Sequence, residues 1–118
     1  MKSTIGSLII QAQGASYNDE NKQEWKKDGL RFMRAVAKEL GLAKGTYDVR
    51  FCAGGIAVSG DCILHSEGLY LHLNDFGFYW RTVKGRKDYV GGYNRQSQCH
   101  YTAEQLANSI VVAGVEVR

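Results

Sequence analysis

Apolar residues recur at helical spacing near the start of the chain. Ser3 or Thr4 can cap a helix there, because their hydroxyls accept hydrogen bonds from the first free backbone N–H groups. Gly14 is a natural stop, since glycine readily adopts the left-handed conformation at a helix C-terminus. This pattern predicts a first amphipathic helix. Its apolar stripe, spaced i, i+3, i+4 and i+7, is Ile5, Leu8, Ile9 and Ala12.

A second, longer helical stripe follows the polar stretch ASYNDEN. Asn18 or Asp19 is the predicted N-cap, and Gly41 ends the pattern. The opposite face mixes cations with carboxylates, and we interpret it as a solvated face with i, i+4 pairs rather than as a binding surface. The apolar positions are Trp25, Leu30, Met33, Val36, Ala37 and Leu40.

From Thr46 onwards the apolar period changes to two, which is typical of strands. The turn sequences AGG, SEG and DFG separate the runs and predict an antiparallel meander. In the third run, leucines alternate with Tyr70, His72 and Asn74, so one face of the sheet packs on a core and the other faces water or a partner. The predicted strands are Thr46–Cys52, Ala57–His65, Leu69–Asn74 and Phe78–Lys84.

A third helical pattern begins near the C-terminus. Thr102 and Gln105 have the spacing of a capping box, and Leu106, Ile110 and Ala113 form the apolar stripe. We therefore predict an α+β fold, in which two N-terminal helices and one C-terminal helix pack on an antiparallel sheet of about four strands. Residues 1–118 form one domain in this interpretation, divided into a helical region (1–41), the sheet with a basic loop (45–95) and the C-terminal helix (102–114).

Composition agrees with a single globular domain. The 118 residues are 44% hydrophobic and 23% charged, and no apolar run approaches the length of a membrane span. The N-terminal segment lacks the pattern of a signal peptide. Cys52, Cys62 and Cys99 are odd in number and widely spaced, which favours free thiols in a reducing cytoplasm over disulfides or a zinc site.

The positive charge is concentrated in one segment. The chain has a net charge of +3, yet residues 81–95 hold five cations against Asp88 alone, while the remaining residues include 10 basic and 11 acidic side chains. Periodicity is lost after Lys84, so we interpret the segment as a loop at the end of a strand. A basic cluster of this kind indicates either a site for a phosphate-bearing partner or a solvated surface, and the charge alone does not distinguish the two.

The residue types in this segment match the chemistry of a nucleotide. Arg and Lys can neutralise phosphate, the Gly91-Gly92 pair lets the backbone approach a ligand, and an amide can read a base edge or a ribose hydroxyl. Tyr89 or an aromatic of the preceding strand can stack on a base. The segment has no P-loop motif. The predicted ligand-binding residues are Phe78, Arg81, Lys84, Arg86, Lys87, Tyr89 and Asn94.

Two other functions remain open from the residues. His65, His72 and His100 can serve a small phosphodiesterase or hydrolase, although none has the Ser or Thr two residues later that marks two-histidine phosphoesterases. The basic segment can also bind nucleic acid or an acidic protein as an inhibitor, which the modest total charge disfavours. No nucleophile elbow or metal-binding spacing is visible, and no metal or cofactor is predicted.

Three stretches, AGGIAVSGD (53–61), LYLHL (69–73) and YWRTVKGRKDYVGGYN (79–94), resemble the type-one Thoeris anti-defence family of phage-encoded signal sponges. The resemblance covers about the central third of the chain. It implies a protein that performs no chemistry and sequesters a cyclic ADP-ribose isomer made by bacterial TIR-domain enzymes, in the host cytoplasm. It also implies a homo-oligomer with pockets at subunit interfaces and some capacity for cyclic oligonucleotides.

Overall fold

The computed structural model describes residues 3–15, 17–53, 59–84, 88–94 and 99–112, with only the backbone given for 82–84 and 88–94. These residues form three helices on one side of a sheet of five strands, which confirms the predicted α+β class with two N-terminal helices and one C-terminal helix. The elements are α1 (Ile5–Ala15), α2 (Asp19–Glu39), β1 (Tyr47–Cys52), β2 (Asp61–Ser66), β3 (Leu69–Asn74), β4 (Gly77–Lys84), β5 (Asp88–Asn94) and α3 (Ala103–Val112).

Local side-chain hydrogen bonds fix where the helices begin. Thr4 Oγ1 accepts from the Ser7 backbone N–H at 3.1 Å and starts α1, while Asn18 Oδ1 accepts from the Asn21 N–H at 3.0 Å and starts α2. Before α3, the Thr102 N–H donates to Gln105 Oε1 at 2.9 Å. The three predicted caps are therefore confirmed. They were predictable because each depends only on residues three apart in the sequence.

Gly41 ends α2 as predicted. Its φ of +71° lies in the left-handed region, where a side chain would be strained. The Gly41 N–H donates to the Lys38 carbonyl at 3.0 Å, and the Leu42 N–H donates to the Ala37 carbonyl at 3.1 Å. This pair of bonds is the Schellman arrangement, which satisfies the last free carbonyls of the helix.

The five strands are antiparallel and neighbour one another in chain order. The four predicted strands are present; the second runs over Asp61–Ser66 rather than Ala57–His65, and residues 57 and 58 lie outside the described part of the chain. The interpretation of the basic segment as a loop was wrong for Asp88–Asn94, which pairs with β4 as a fifth strand. Pairing with β4 satisfies the backbone N–H and C=O groups of this strand. Its alternation of side chains was not visible in the sequence, because Gly91 and Gly92 interrupt it.

The three helices share one core with the inner face of the sheet. Leu69, Leu71 and Leu73 of β3 are fully buried there, as their alternation predicted. The predicted stripe of α2 also holds, although Leu30 and Leu40 lie only at the edge of the core and Phe32 is an additional member. Ala113 of the predicted third stripe lies outside the described residues. The largest fully buried side chains include Trp25, Met33, Leu64, Phe78, Leu106 and Ile110.

Helix α2 packs directly against strand β2. Trp25 is fully buried, and its Nε1–H donates to the Gly60 carbonyl at 3.3 Å. One turn later, Gly29 faces Cys62 so closely that a Cβ added at Gly29 would overlap the Cys62 Sγ. The glycine therefore allows the helix backbone to rest directly on the strand.

The same burial predicts an alkaline weakness of the fold. Desolvation, with a smaller contribution from the Asp61 carboxylate, raises the pKa of the Cys62 thiol from 9.0 to about 12. The unfolded chain releases this proton from about pH 9, whereas the folded chain retains it, so stability falls as pH rises through that window. Between pH 8 and 10 we expect the wild type to lose about 1.4 kcal/mol more unfolding free energy than Cys62→Ala. Urea unfolding at both pH values measures this difference, and equal losses would contradict the assignment.

Candidate functional site

The sheet face opposite the helices carries an ordered set of polar and aromatic side chains. Cross-strand pairing places Ile63, His72 and Tyr79 in one row, and His65, Tyr70 and Arg81 in the next. Asp61 and Asn74 lie on the other side of the His72 row. Seven of these residues form what we call the outer-face cluster: Asp61, His65, Tyr70, His72, Asn74, Tyr79 and Arg81.

His72 is the centre of the hydrogen bonds in this cluster. Its Nε2 lies 2.9 Å from Asp61 Oδ1, and its Nδ1 lies 2.7 Å from the Tyr79 hydroxyl and 3.1 Å from the Tyr70 hydroxyl. Asn74 Nδ2 donates to the same Asp61 oxygen at 2.8 Å. Both nitrogens of the half-buried imidazole are thus engaged by neighbouring side chains.

Arg81 lies on the faces of the two tyrosines. Its guanidinium carbon is 4.9 Å from the ring centre of Tyr70 and 5.5 Å from that of Tyr79. These are cation–π distances, which hold a guanidinium in a defined plane over the rings. His65 packs edge-on against Tyr70, with ring centres 5.2 Å apart. The cation is therefore supported by an aromatic layer and is not a free surface side chain.

An irregularity in the sheet occurs beside Arg81. Trp80 pairs with Tyr93 and Thr82 with Val90, so Arg81 stands opposite two residues, Gly91 and Gly92. This one-against-two arrangement is a β-bulge, which bends a strand and redirects nearby side chains. The Gly-Gly pair that the sequence assigned to a loop instead lies in this bulge.

Comparisons with protein-family models, curated proteins and solved structures give no match. The chemistry of the site must therefore be interpreted from its own residues. Among the described residues, no group of three His, Cys, Asp or Glu side chains has the arrangement of a metal centre. In the same part of the chain, no helix combines the length and apolarity needed to cross a bilayer.

Two cavities on the helical side do not coincide with the outer-face cluster. One, of about 380 Å³, follows α2 along Lys26, Lys27 and Arg34. The other, of about 360 Å³, lies between α2 and α3, with Phe32 and Thr102 in its wall. Neither is lined by a residue of the cluster.

The structure separates the sequence-predicted ligand residues into three groups. Arg81 belongs to the outer-face cluster. Phe78 does not; its side chain is 2% exposed and packs in the core, so we remove it from the candidate site. The others are positioned only in part: Lys84, Tyr89 and Asn94 have described backbone in the β4–β5 hairpin, whereas Arg86 and Lys87 lie outside the described residues.

The candidate catalytic histidines do not form one centre. His65 and His72 share the outer face, with the Tyr70 ring in contact with both. His100 is exposed before α3 and packs on Tyr101 at 4.6 Å. Sequence reasoning missed Asp61 and Tyr70 as members of the cluster. The available signal was the alternation of β3, which placed Tyr70, His72 and Asn74 on one face.

Proposed function

We propose that this protein binds and sequesters a cyclic nucleotide signal of the cyclic ADP-ribose type without cleaving it, and so blocks a bacterial anti-phage defence. The observation that supports this most directly is the position of Arg81 on the Tyr70 and Tyr79 rings, at the start of the segment where the cations are concentrated. A planar cation held on an aromatic layer can contact a phosphate, and the half-buried Tyr79 ring can stack on a base, whereas Tyr70 is buried and supports Arg81. Both the phosphate contact and the stacking are needed to hold a nucleotide.

The distribution of charge on the outer face supports this proposal. Arg81 lies in one cross-strand row, and the carboxylate of Asp61 lies on the far side of the His72 row, where it is engaged by His72 and Asn74. The acid is therefore separated from the proposed phosphate contact. Further cations follow Arg81 along the chain at Lys84 and Arg86.

Tight binding requires that the ligand be enclosed. A sponge that competes with an effector needs nanomolar affinity, about −12 kcal/mol. Charged hydrogen bonds contribute about 1.5–3 kcal/mol each and a stacked base about 1–3, before association costs of about 4–15. The three helices pack on the opposite face of the sheet. We therefore propose that a second copy of the chain covers the outer face in a homo-oligomer.

The contacts of His72 favour a second candidate, a hydrolase. A carboxylate, an imidazole and a hydroxyl are linked in order through Asp61, His72 and Tyr79, which is the order of groups in a nucleophile relay. Against it, Nδ1 of His72 is shared by two phenol hydroxyls, those of Tyr79 and Tyr70, and both of these rings pack against the Arg81 guanidinium. Binding without turnover therefore remains the better supported function.

One experiment separates the two candidates. The protein is incubated with cyclic ADP-ribose isomers, freed of unbound ligand by gel filtration and denatured by heat, and the released compound is analysed by mass spectrometry. Recovery of intact ligand in stoichiometric amounts is the expected result. A cleaved product would identify a hydrolase, and absence of any retained compound would contradict nucleotide binding.

A further inference from the structure

Asp61 has contacts that a surface carboxylate does not need. Its side chain is 32% exposed, and one oxygen, Oδ1, accepts two hydrogen bonds from the neighbouring strand, from His72 at 2.9 Å and Asn74 at 2.8 Å. Asn74 is itself fixed, because its Oδ1 accepts from the backbone N–H groups of Phe76 and Gly77 at 2.9 and 3.1 Å. The turn between β3 and β4 thus holds Asn74, and Asn74 helps to hold Asp61.

The carboxylate determines which nitrogen of the imidazole carries the proton. An ionised carboxylate only accepts hydrogen bonds, so a neutral His72 must carry its proton on Nε2, which faces Asp61. Nδ1 is then an acceptor and receives a hydrogen bond from the tyrosine hydroxyls, of which Tyr79 is the nearer at 2.7 Å. This hydrogen bond fixes the end of the Tyr79 ring.

The tyrosine rings in turn form the surface on which Arg81 lies. We infer that Asp61 is a positioning residue for Arg81, acting through the tautomer of His72 and the hydroxyl of Tyr79. This inference rests on the proposed function as far as the ligand is concerned, because Arg81 is the residue that contacts the anion there. The hydrogen-bonded chain itself is a property of the ligand-free protein.

Binding measurements give a test by sign. If Asp61 acted only through its charge, its loss would strengthen anion binding, because the carboxylate repels the anion. If Asp61 positions Arg81, its loss weakens anion binding. We expect Asp61→Ala to weaken binding of a cyclic ADP-ribose isomer about tenfold in calorimetry, the equivalent of one charged hydrogen bond. Asp61→Asn keeps an oxygen acceptor for His72, so the loss of affinity in this variant should be smaller than in Asp61→Ala. The matched control is Asp75→Asn in the β3–β4 turn, which removes the same charge and should leave affinity unchanged or slightly higher.

Nuclear magnetic resonance of the ligand-free protein tests the chain independently of the ligand. In the wild type, the ¹⁵N shifts of His72 should report a proton on Nε2, and Arg81, whose Nε is buried, should give a sharp Hε signal. In Asp61→Ala we expect a mixture of tautomers and a broadened Arg81 signal, with circular dichroism unchanged. Unaltered His72 and Arg81 signals, or affinity that rises as in Asp75→Asn, would overturn the inference. If the wild type binds none of the isomers, the proposed function fails, while these signals still decide the role of Asp61.

Discussion

Arg81→Ala is expected to weaken the binding of a cyclic ADP-ribose isomer by about 10- to 100-fold and, through loss of its contacts with the Tyr70 and Tyr79 rings, to lower the unfolding free energy by about 1–2 kcal/mol. The reason for the weaker binding is the loss of the proposed charge-assisted hydrogen bond to phosphate, a type of bond that contributes about 1.5–3 kcal/mol. The affinity of Arg81→Lys should lie between those of the wild type and Arg81→Ala. Lysine keeps the charge but loses the planar group that lies on Tyr70 and Tyr79. Isothermal titration calorimetry at fixed ionic strength measures all three affinities.

The control for this prediction is Arg34→Ala. Arg34 is an exposed cation of α2, on the helical side of the sheet, and its removal changes the net charge by the same amount. Arg34→Ala is expected to show only a small loss of affinity, which depends on the salt concentration. If the two alanine variants lose affinity equally, only the total charge matters and Arg81 has no specific role. If neither loses affinity, the ligand does not bind at the outer-face cluster.

The helices could be predicted because their signals are local. The bond between Asn18 and Asn21 and the left-handed Gly41 each depend on residues a few positions apart. The fifth strand was not predictable in this way, since Gly91 and Gly92 interrupt its alternation and its pairing with β4 depends on the neighbouring strand. Backbone pairing, rather than side-chain pattern, defines that element.

The candidate site was less accessible from sequence, because strand register assembles it. Alternation in β3 placed His72 on the outer face, but its contact with Asp61 joins residues 11 positions apart across two strands. The misassignment of Phe78 has a similar origin. The run from Phe78 to Trp80 is aromatic throughout, so it contains no alternation to show that Tyr79 faces outward and that Phe78 lies in the core. Only the tertiary arrangement separates them.

Gly29→Ala is expected to destabilise the protein by about 1–3 kcal/mol, the usual cost of overpacking a core. This is the reverse of the normal effect, since alanine in an exposed helix is about 1 kcal/mol more favourable than glycine. The sign changes because the new methyl group would overlap the Cys62 Sγ and would lie 3.3 Å from its Cβ, while α2 is held against β2 by the buried Trp25. Urea unfolding at pH 7 measures the change.

Removal of the sulfur should reverse the penalty. In Gly29→Ala combined with Cys62→Ala, the added methyl occupies the volume left by Sγ, so the double variant is expected to be at least as stable as Cys62→Ala alone. Gly14→Ala is the matched control, because Gly14 lies in α1 with nothing within 4 Å of an added Cβ, and it should stabilise the protein by about 0.5–1 kcal/mol. If Gly29→Ala stabilises the fold as Gly14→Ala does, α2 and β2 cannot be in direct contact. The close packing of helix on strand described above would then be incorrect, and with it the burial that raises the pKa of Cys62.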